Sequence, residues 1–514
     1  MERVPLLENG GSEEKRSLGW RVFDESKKLW RIVGPAIFQR VVIYSFSVIT
    51  QAFAGHLGDL ELAAYSISTV ITGFNFGLFL GMASALETLC GQAYGAKKYH
   101  MLGVYLQRSW IVLFLFAVML LPIYIYTTPL LKLCGEPDNL AEIAGKITIW
   151  QIPQHFAYAL MFPINRYLQS QLKNWVTAAC AAVALLTHIT LSWLLLFKWH
   201  YGLVTAVLIL NSSWWLVLFG MFFYVVCGGC PDTWKGFSMD AFADMWEFIK
   251  LSFSSGIMMC LESWYYRVLV LLTGYLPNAE LAVDALSICM SISTWELMIP
   301  LAFFAGTGVR VANELGAGKG QAAKFAMIVS VVTSILIGIF FWALILTFHD
   351  KIALFFTSSM VVLNAVDKLT VLLAFTILLN SIQPVLSGVA VGSGWQSLVA
   401  YVNVGSYYLI GVPFGIFLGW TFHYGVLGIW AGMIGGTFVQ TIILAVLTMR
   451  CNWTEEANKA SRRISRVMHQ NLQRNIKTDR RSPARNPEPV DIRVMNGETR
   501  AKRGKEIMSE LTAP

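Results

Sequence analysis

Runs of predominantly apolar residues, each long enough to cross a membrane, recur along almost the whole chain. They fall at about 31–54, 63–87, 104–128, 147–170, 176–198, 203–226, 249–273, 281–306, 325–348, 366–390, 398–420 and 425–449. About 20 residues at 1.5 Å per residue span a hydrocarbon core of about 30 Å. Lipid offers no hydrogen bonds to a bare backbone, so successive runs of this kind are helices that satisfy their own polar groups. Only 14% of the chain is charged, well below the roughly 25% of a soluble domain. The expected fold is an all-α polytopic membrane protein of about twelve transmembrane helices, with the lipid bilayer as its first partner. Residues 1–28 are polar and mixed in charge, without the short apolar core of a cleavable signal, so the first span also targets the chain.

Charge sets the expected orientation. Lys97, Lys98, Arg108, Lys173, Lys235, Arg310, Lys319 and Lys324 fall on the side of the termini, whereas the opposite loops carry Asp59, Glu61, Glu136, Asp138, Glu142, Glu280 and Asp284. The positive-inside rule places both termini in the cytosol. From Arg450 to the end there are fifteen Lys or Arg against eight Asp or Glu, and a basic tail beside a membrane explains them better than nucleic-acid binding. Within the tail, Ile464, Val467, Met468 and Leu472 follow helical spacing among Arg462, Arg463 and Arg466. The expectation is an interfacial helix or a solvated basic tail, with Arg462 to Ser465 resembling a basophilic kinase site. Glu2 to Leu7 matches an acidic dileucine address. Cys227 and Cys230 form a CxxC without a second ligand pair, which falls short of the four ligands of a structural zinc site.

The chain repeats itself. Gly55 to Ala63 matches Gly274 to Ala282 at an offset of 219, Gln92 to Lys98 matches Asn313 to Lys319 at 221, and His200-Tyr201-Gly202 matches His423-Tyr424-Gly425 at 223. Three matches in order at nearly one offset define two six-helix lobes. Six is even, so the lobes share an orientation and are related by an axis along the membrane normal. Transporters built this way bind solute between halves and rock to alternate access. The expected organisation is an N-terminal arm at 1–28, an N-lobe at 29–226, a cytosolic linker at 227–248, a C-lobe at 249–450 and a basic tail at 451–514.

Two spans of the C-lobe each carry one carboxylate. Glu262 lies 13 residues into its span, about 20 Å from the cytosolic end, and Glu296 lies about 15 Å up the next span. Burial disfavours a carboxyl's charged form and a second carboxylate adds to that. Such acids suit proton carriage between a near-neutral cytosol and an acidic compartment, and adjacent antiparallel spans let both face one cavity. Tyr265 and Tyr266 follow Glu262 on its own helix face, and Trp295 adjoins Glu296. Aromatic groups there hold flat or cationic organic molecules by stacking and cation–π contact. In the N-lobe, Arg40, Tyr44, Ser47 and Gln51 are spaced +4, +3 and +4, one polar stripe on span 1. Asn75, Asn165, Gln169, Asn211, Asn380 and Gln383 add polar groups within spans, serving either an aqueous cavity or interhelical hydrogen bonds. Glu87 reads as a gate or structural acid. There is no P-loop, HExxH or GxSxG, so an enzyme is not expected and transport is driven by a gradient without a cofactor.

Four stretches resemble one family: Gln51 to Asp59, Ala85 to Ala96, Val309 to Ala317 and Pro384 to Gln396. They are similar to the multidrug and toxic compound extrusion (MATE) family, most of all its plant DETOXIFICATION branch. The resemblance covers about residues 25–455. It implies a V-shaped pair of lobes and cation-coupled antiport, with protons as the coupling ion. It also implies solutes such as flavonoid conjugates, alkaloids, organic cations, citrate or xenobiotics, a monomer, and a vacuolar rather than a plasma membrane. The family's span-7 acid carries over onto Glu262, and a second acid of part of the plant branch onto Glu296. Asn380 stands where some relatives carry a span-10 acid, and the span-1 acid of many bacterial members is missing. Coupling then rests on the second lobe. A passive anion channel or uniporter on the same fold is the alternative, ahead of a lipid flippase.

Overall fold

The computed structural model describes residues 17–243, 245–276, 279–354 and 359–479. The dileucine pattern at Glu2 to Leu7 and the tail beyond 479 lie outside them. The N-terminal half holds α1 (Leu18–Leu57), α2 (Asp59–Gly95), α3 (His100–Ile125), α4 (Thr127–Leu133), α5 (Asp138–Trp150), α6 (Ile152–Ser170), α7 (Asn174–Leu191) and α8 (Leu203–Tyr224). The second half holds α9 (Met245–Thr273), α10 (Ala279–Gly316), α11 (Gly320–Ala353), α12 (Met360–Asn380), α13 (Gln383–Ser393), α14 (Gln396–Asn403), α15 (Val412–Ile416) and α16 (Gly425–Arg450), followed by α17 (Trp453–Asp479). Ten of these helical stretches are long and apolar enough to cross a membrane. Two of the expected twelve spans, α6 and α9, fall short of that measure. They carry Gln154, His155, Arg166 and Gln169 in one case, and Glu262 and Arg267 in the other. Those polar groups lower the mean hydropathy, yet α6 and α9 pack against α2 inside the bundle.

The repeat is visible in the backbone. Left-handed residues occur at Lys97 (φ 59°) and Gly318 (φ 77°), at Leu172 (φ 63°) and Gly394 (φ 87°), and at His200 (φ 53°) and His423 (φ 59°). Each pair is separated by 221 to 223 residues. The turns around them use the same hydrogen bonds: Lys98 N–H reaches Ala93 O at 2.9 Å, and Lys319 N–H reaches Glu314 O at 2.9 Å. Both α7 and the α14–α15 stretch end in π-helical turns, at Ser192–Lys198 and Phe417–Thr421, just before those histidines. A side chain at positive φ is uncommon, so its recurrence at equivalent positions reflects one inherited fold used twice.

The halves meet along α1, α2, α9 and α10, with α1 on α10 and α2 on both α9 and α10. Where α2 and α10 end, the approach is backbone to backbone. A Cβ on Gly95 would overlap the Asn313 carbonyl, and one on Gly316 would overlap the Gln92 carbonyl. Gly95 and Gly316 are equivalent in the repeat, as are Gln92 and Asn313. The pseudo-twofold axis therefore passes through this crossing, where only glycine permits such contact.

Three segments outside the main spans have contacts of their own. The first helix begins at Leu18, inside the expected arm, because Glu25 has a partner on the opposite half. Arg310 donates to both Glu25 oxygens, Nε to Oε1 at 2.8 Å and Nη2 to Oε2 at 3.0 Å, and also to Glu314 at 2.7 Å. The linker is anchored rather than free: Gln107 donates to Gly236 O at 3.0 Å and Arg108 to Asp240 O at 3.0 Å. The start of α17 is docked rather than laid on lipid. Trp453, Ala457 and Ala460 pack with Val311, Leu315, Ala323 and Met327, and Ile464 is also buried. The chain forms one compact unit to Ile464 and a second from Ser465. The side chains of Val467, Met468 and Leu472 lie outside the described residues.

Candidate functional site

The span made of α12 and α13 is broken in its middle, and the chemistry collects at the break. Pro384 has no N–H for the carbonyl four residues back, so the helix cannot run through. Ser381 and Ile382 form the joint, and Ser334 Oγ donates to the Ser381 carbonyl at 2.6 Å. Gln383 Nε2 then donates to Glu262 Oε1 at 3.0 Å, and Ser387 Oγ and Asn403 Nδ2 approach the same oxygen at 3.4 Å. Behind them Gln440 Nε2 donates to Asn403 Oδ1 at 2.7 Å, and Tyr407 OH donates to Gln440 Oε1 at 2.6 Å. Among the described residues, no Lys, Arg or His pairs with Glu262. Its half-buried carboxylate is held by amides and a hydroxyl alone.

Glu296 sits in a second, adjoining cluster. It is buried, Ser381 Oγ lies 3.4 Å from its Oε1, and its Oε2 has no partner among the described residues. Between the acids, Tyr266 OH donates to Asn380 Oδ1 at 2.9 Å, and Asn380 Nδ2 donates to Ser293 Oγ at 3.4 Å. Tyr266 stands within electrostatic reach of both carboxylates. A space of about 10 Å³, room for about one water, is lined by Tyr265, Tyr266, Asn380 and Thr437. Tyr265 is stacked on Tyr407 at 4.2 Å and donates to Met433 O at 2.7 Å. The sequence reading missed Ser387, Asn403, Tyr407 and Gln440. Their signal was the same as for Asn380, polar groups in the middle of apolar spans.

A chamber of about 330 Å³ lies in the N-terminal half, with Met298 and Leu301 of α10 also on its lining. The stripe Arg40, Tyr44, Ser47 and Gln51 lines it, as do Asn165 and Gln169. Asn75 and Asn211 do not: each bonds backbone, to Ile71 O at 3.3 Å and to Trp150 O at 2.7 Å. An aromatic wall forms one side. Tyr158 meets Trp214 edge to face at 4.7 Å, and Phe76 meets Phe162 in the same way at 5.0 Å. Trp295, largely exposed, meets Tyr44 edge to face at 5.2 Å across the halves.

Toward the α2–α10 crossing, Glu87 is fully buried and pairs with Arg166 at 3.1 Å. Its carboxylate abuts Gly308, where a Cβ would overlap it. Gln92 Nε2 donates to Gly392 O at 3.1 Å, Thr88 donates to Val391 O, and Arg463 Nη1 donates to Gln92 Oε1 at 3.0 Å. Burial pushes the Arg463 guanidinium below its ordinary value, while Tyr105, Glu456 and Glu247 act in the opposite sense. This end of the bundle is closed across the two halves.

The MatE family model matches the chain twice, over residues 35–194 and 255–417. The chain belongs to the MATE family. The two matches fall one in each half of the repeat. Protein DETOXIFICATION 27 of Arabidopsis thaliana is 63% identical over 468 residues, 90% of this chain and 96% of that protein. Protein DETOXIFICATION 26 of the same organism is 59% identical over 466 residues, 90% of this chain and 95% of that one. Among solved structures, the eukaryotic MATE transporter AtDTX14 matches with a TM-score of 0.82 at 35% identity, over 86% of this chain and 99% of that one. An outward-facing multidrug resistance MATE transporter of the MOP superfamily shares the fold, with a TM-score of 0.75 at 17% identity, over 87% of this chain and 100% of that one. MATE proteins carry small organic solutes across membranes, and this chain is an integral, multi-pass MATE transporter rather than an enzyme.

Proposed function

We propose that this MATE transporter is a proton-coupled antiporter that moves organic solutes or xenobiotics out of the cytosol, with Glu262 as its principal proton carrier and Glu296 as a second. The observation that carries the reading is the Glu262 cluster. A carboxylate half-buried among neutral donors with no cation has no local counter-charge, and taking up a proton removes the cost of holding that charge within the bundle. The amides and hydroxyls that solvate the ionised form must rearrange when the carboxyl becomes a donor. They come from α13, α14 and α16, so protonation is felt by three helices of one lobe. Closure at the α2–α10 crossing supports alternating access, with the chamber emptied on the opposite side. The basic residues beside that crossing support cytosolic termini, and the Glu2 to Leu7 pattern favours the vacuolar membrane. The repeat supplies both lobes within one chain, in keeping with a working monomer.

Uptake into proteoliposomes tests this, using a panel of aromatic anions and cations under an imposed pH gradient. Gradient-driven uptake is expected in the wild type and not in Glu262→Gln, with Glu296→Gln reduced. Wild-type uptake that ignores the gradient refutes the antiport. Full gradient-driven uptake by Glu262→Gln refutes the assigned carrier.

A further inference from the structure

The N-lobe chamber has a charge that the coupling acids do not explain. Arg40 lines it from α1, one turn before Tyr44 and on the same face as Ser47 and Gln51. Arg166 lines it from α6 with its charge paired: Nη1 binds Glu87 at 3.1 Å and Gln169 Oε1 at 3.0 Å. Arg40 feels both Arg166 and Glu87 electrostatically, yet among the described residues it has no hydrogen bond or ion pair of its own. One carboxylate faces two guanidiniums, and the chamber lining contains no Asp or Glu. The site therefore carries about one uncompensated positive charge among amides, hydroxyls and aromatic rings, none of which can neutralise it.

The opposite wall fixes what kind of anion fits. Phe76, Tyr158, Phe162 and Trp214 lock one another edge to face or by stacking, with centroids 4.7 to 5.5 Å apart for the Tyr158–Trp214, Phe76–Phe162, Phe76–Tyr158 and Tyr158–Phe162 pairs. Such a wall is a rigid apolar face for a flat ring. The volume of about 330 Å³ lies in the range of pockets for small organic ligands, about 300–1,000 Å³. Amide and hydroxyl side chains, Gln51 and Ser47 among them, line the same chamber.

We propose that the N-lobe chamber selects aromatic organic anions, with the carboxylate or sulfonate of the solute seated on Arg40 and its ring on the Phe76–Tyr158–Trp214 wall. The inference rests on the transporter reading above and narrows it, because a cation is repelled from this chamber. A guanidinium recognises a carboxylate through two parallel N–H groups, and Arg40 presents such a fork without a competitor. The solute's charge completes the neutralisation that Glu87 leaves half done.

The test is equilibrium binding to the full-length protein in nanodiscs at one pH, without a gradient, so that it does not depend on transport. The probes are 1-naphthyl glucuronide and 1-naphthyl glucoside, which differ by one carboxylate. The wild type is expected to bind the glucuronide at least about tenfold more tightly, the effect of one charge-assisted hydrogen bond. In Arg40→Gln the ratio falls to about one, and Arg40→Lys keeps most of the preference. Naphthalene sulfonate competes with the glucuronide in the wild type and naphthylmethylammonium does not. A wild-type ratio near one, absence of binding by both probes, equal competition by the ammonium, or an unaltered ratio in Arg40→Gln overturns the proposal. Preference for the anion together with uptake that ignores a pH gradient refutes only the antiport. Gradient-driven uptake without the preference refutes only the anion site.

Discussion

Alanine at Gly95 or Gly316 is expected to open the end of the bundle that α2 and α10 close. The methyl on Gly95 would stand 2.8 Å from the Asn313 carbonyl carbon and 3.0 Å from its Cα, and the methyl on Gly316 would stand 2.6 and 2.7 Å from the matching atoms of Gln92. Ordinary carbon contacts are about 3.5–4.0 Å, and backbone inside a helix cannot rotate away, so the helices must part by roughly 1 Å. Overpacking of this kind costs about 1–3 kcal/mol. Alanine also stabilises a helix by up to about 1 kcal/mol over glycine, but that gain is the same whether the end is open or closed. The steric term alone therefore sets the ratio of states, a change of about 5- to 150-fold. Spin labels at the exposed Lys97 and Gln321, in a cysteine-free background, read the distance between the halves by double electron–electron resonance. Both variants should move the distribution outward. Gly34→Ala, whose Cβ meets open space in α1, should leave it in place. Because Gly95 and Gly316 are equivalent across the pseudo-twofold axis, the two shifts should be similar. An unchanged distribution in either variant refutes the symmetric crossing.

Two ion pairs give further predictions. Glu87→Gln leaves the buried Arg166 without its partner, which costs about 3–5 kcal/mol. The detergent-solubilised protein should melt several degrees lower, with most of the loss recovered in Glu87→Gln/Arg166→Met; a single variant as stable as wild type would show that the pair holds nothing. Arg310→Lys should fail to restore the melting temperature lost in Arg310→Gln, because an ammonium cannot fork across both Glu25 oxygens as the guanidinium does; equal stability of Arg310→Lys and wild type counts against it.

What the sequence made legible was local or periodic. The spans follow from length and hydropathy, and the repeat from three matched segments whose backbone angles recur. The stripe Arg40, Tyr44, Ser47 and Gln51 was readable because one helix face carries all four, and all four line the chamber. What stayed hidden depends on partners far apart in the chain. Glu25 and Arg310 are 285 residues apart, so nothing near Glu25 marks it as a contact between halves. Gln383, Asn403 and Gln440 converge on Glu262 from three different helices. The start of α17 was misread because one apolar stripe was noticed and another was not: Trp453, Ala457, Ala460 and Ile464 follow +4, +3 and +4 spacing and bury against the bundle. Glu262 meets Gln383 and Glu296 meets Ser381, both at the break between α12 and α13, a meeting that no local pattern around either acid announces.

The repeat gives these observations a common cause. At an offset of 219, Glu262 corresponds to Ile43 and Arg40 to Met259. Ile43 lines the N-lobe chamber, and Met259 is a buried apolar residue beside α13. Each lobe thus keeps an apolar side chain where the other carries the charge proposed to act, positive in the first and negative in the second. Had both lobes kept both charges, each Arg–Glu set would sit on one helix three residues apart, where opposite charges pair readily. An arginine paired in that way could not recognise a solute anion, and a glutamate paired in that way would gain little by taking up a proton. Separating the charges into different lobes leaves both unpaired, at the stability cost of burying each alone. On this reading, introducing an arginine at Met259 would abolish proton coupling by supplying Glu262 with the counter-ion it lacks, even with every original ligand of Glu262 in place.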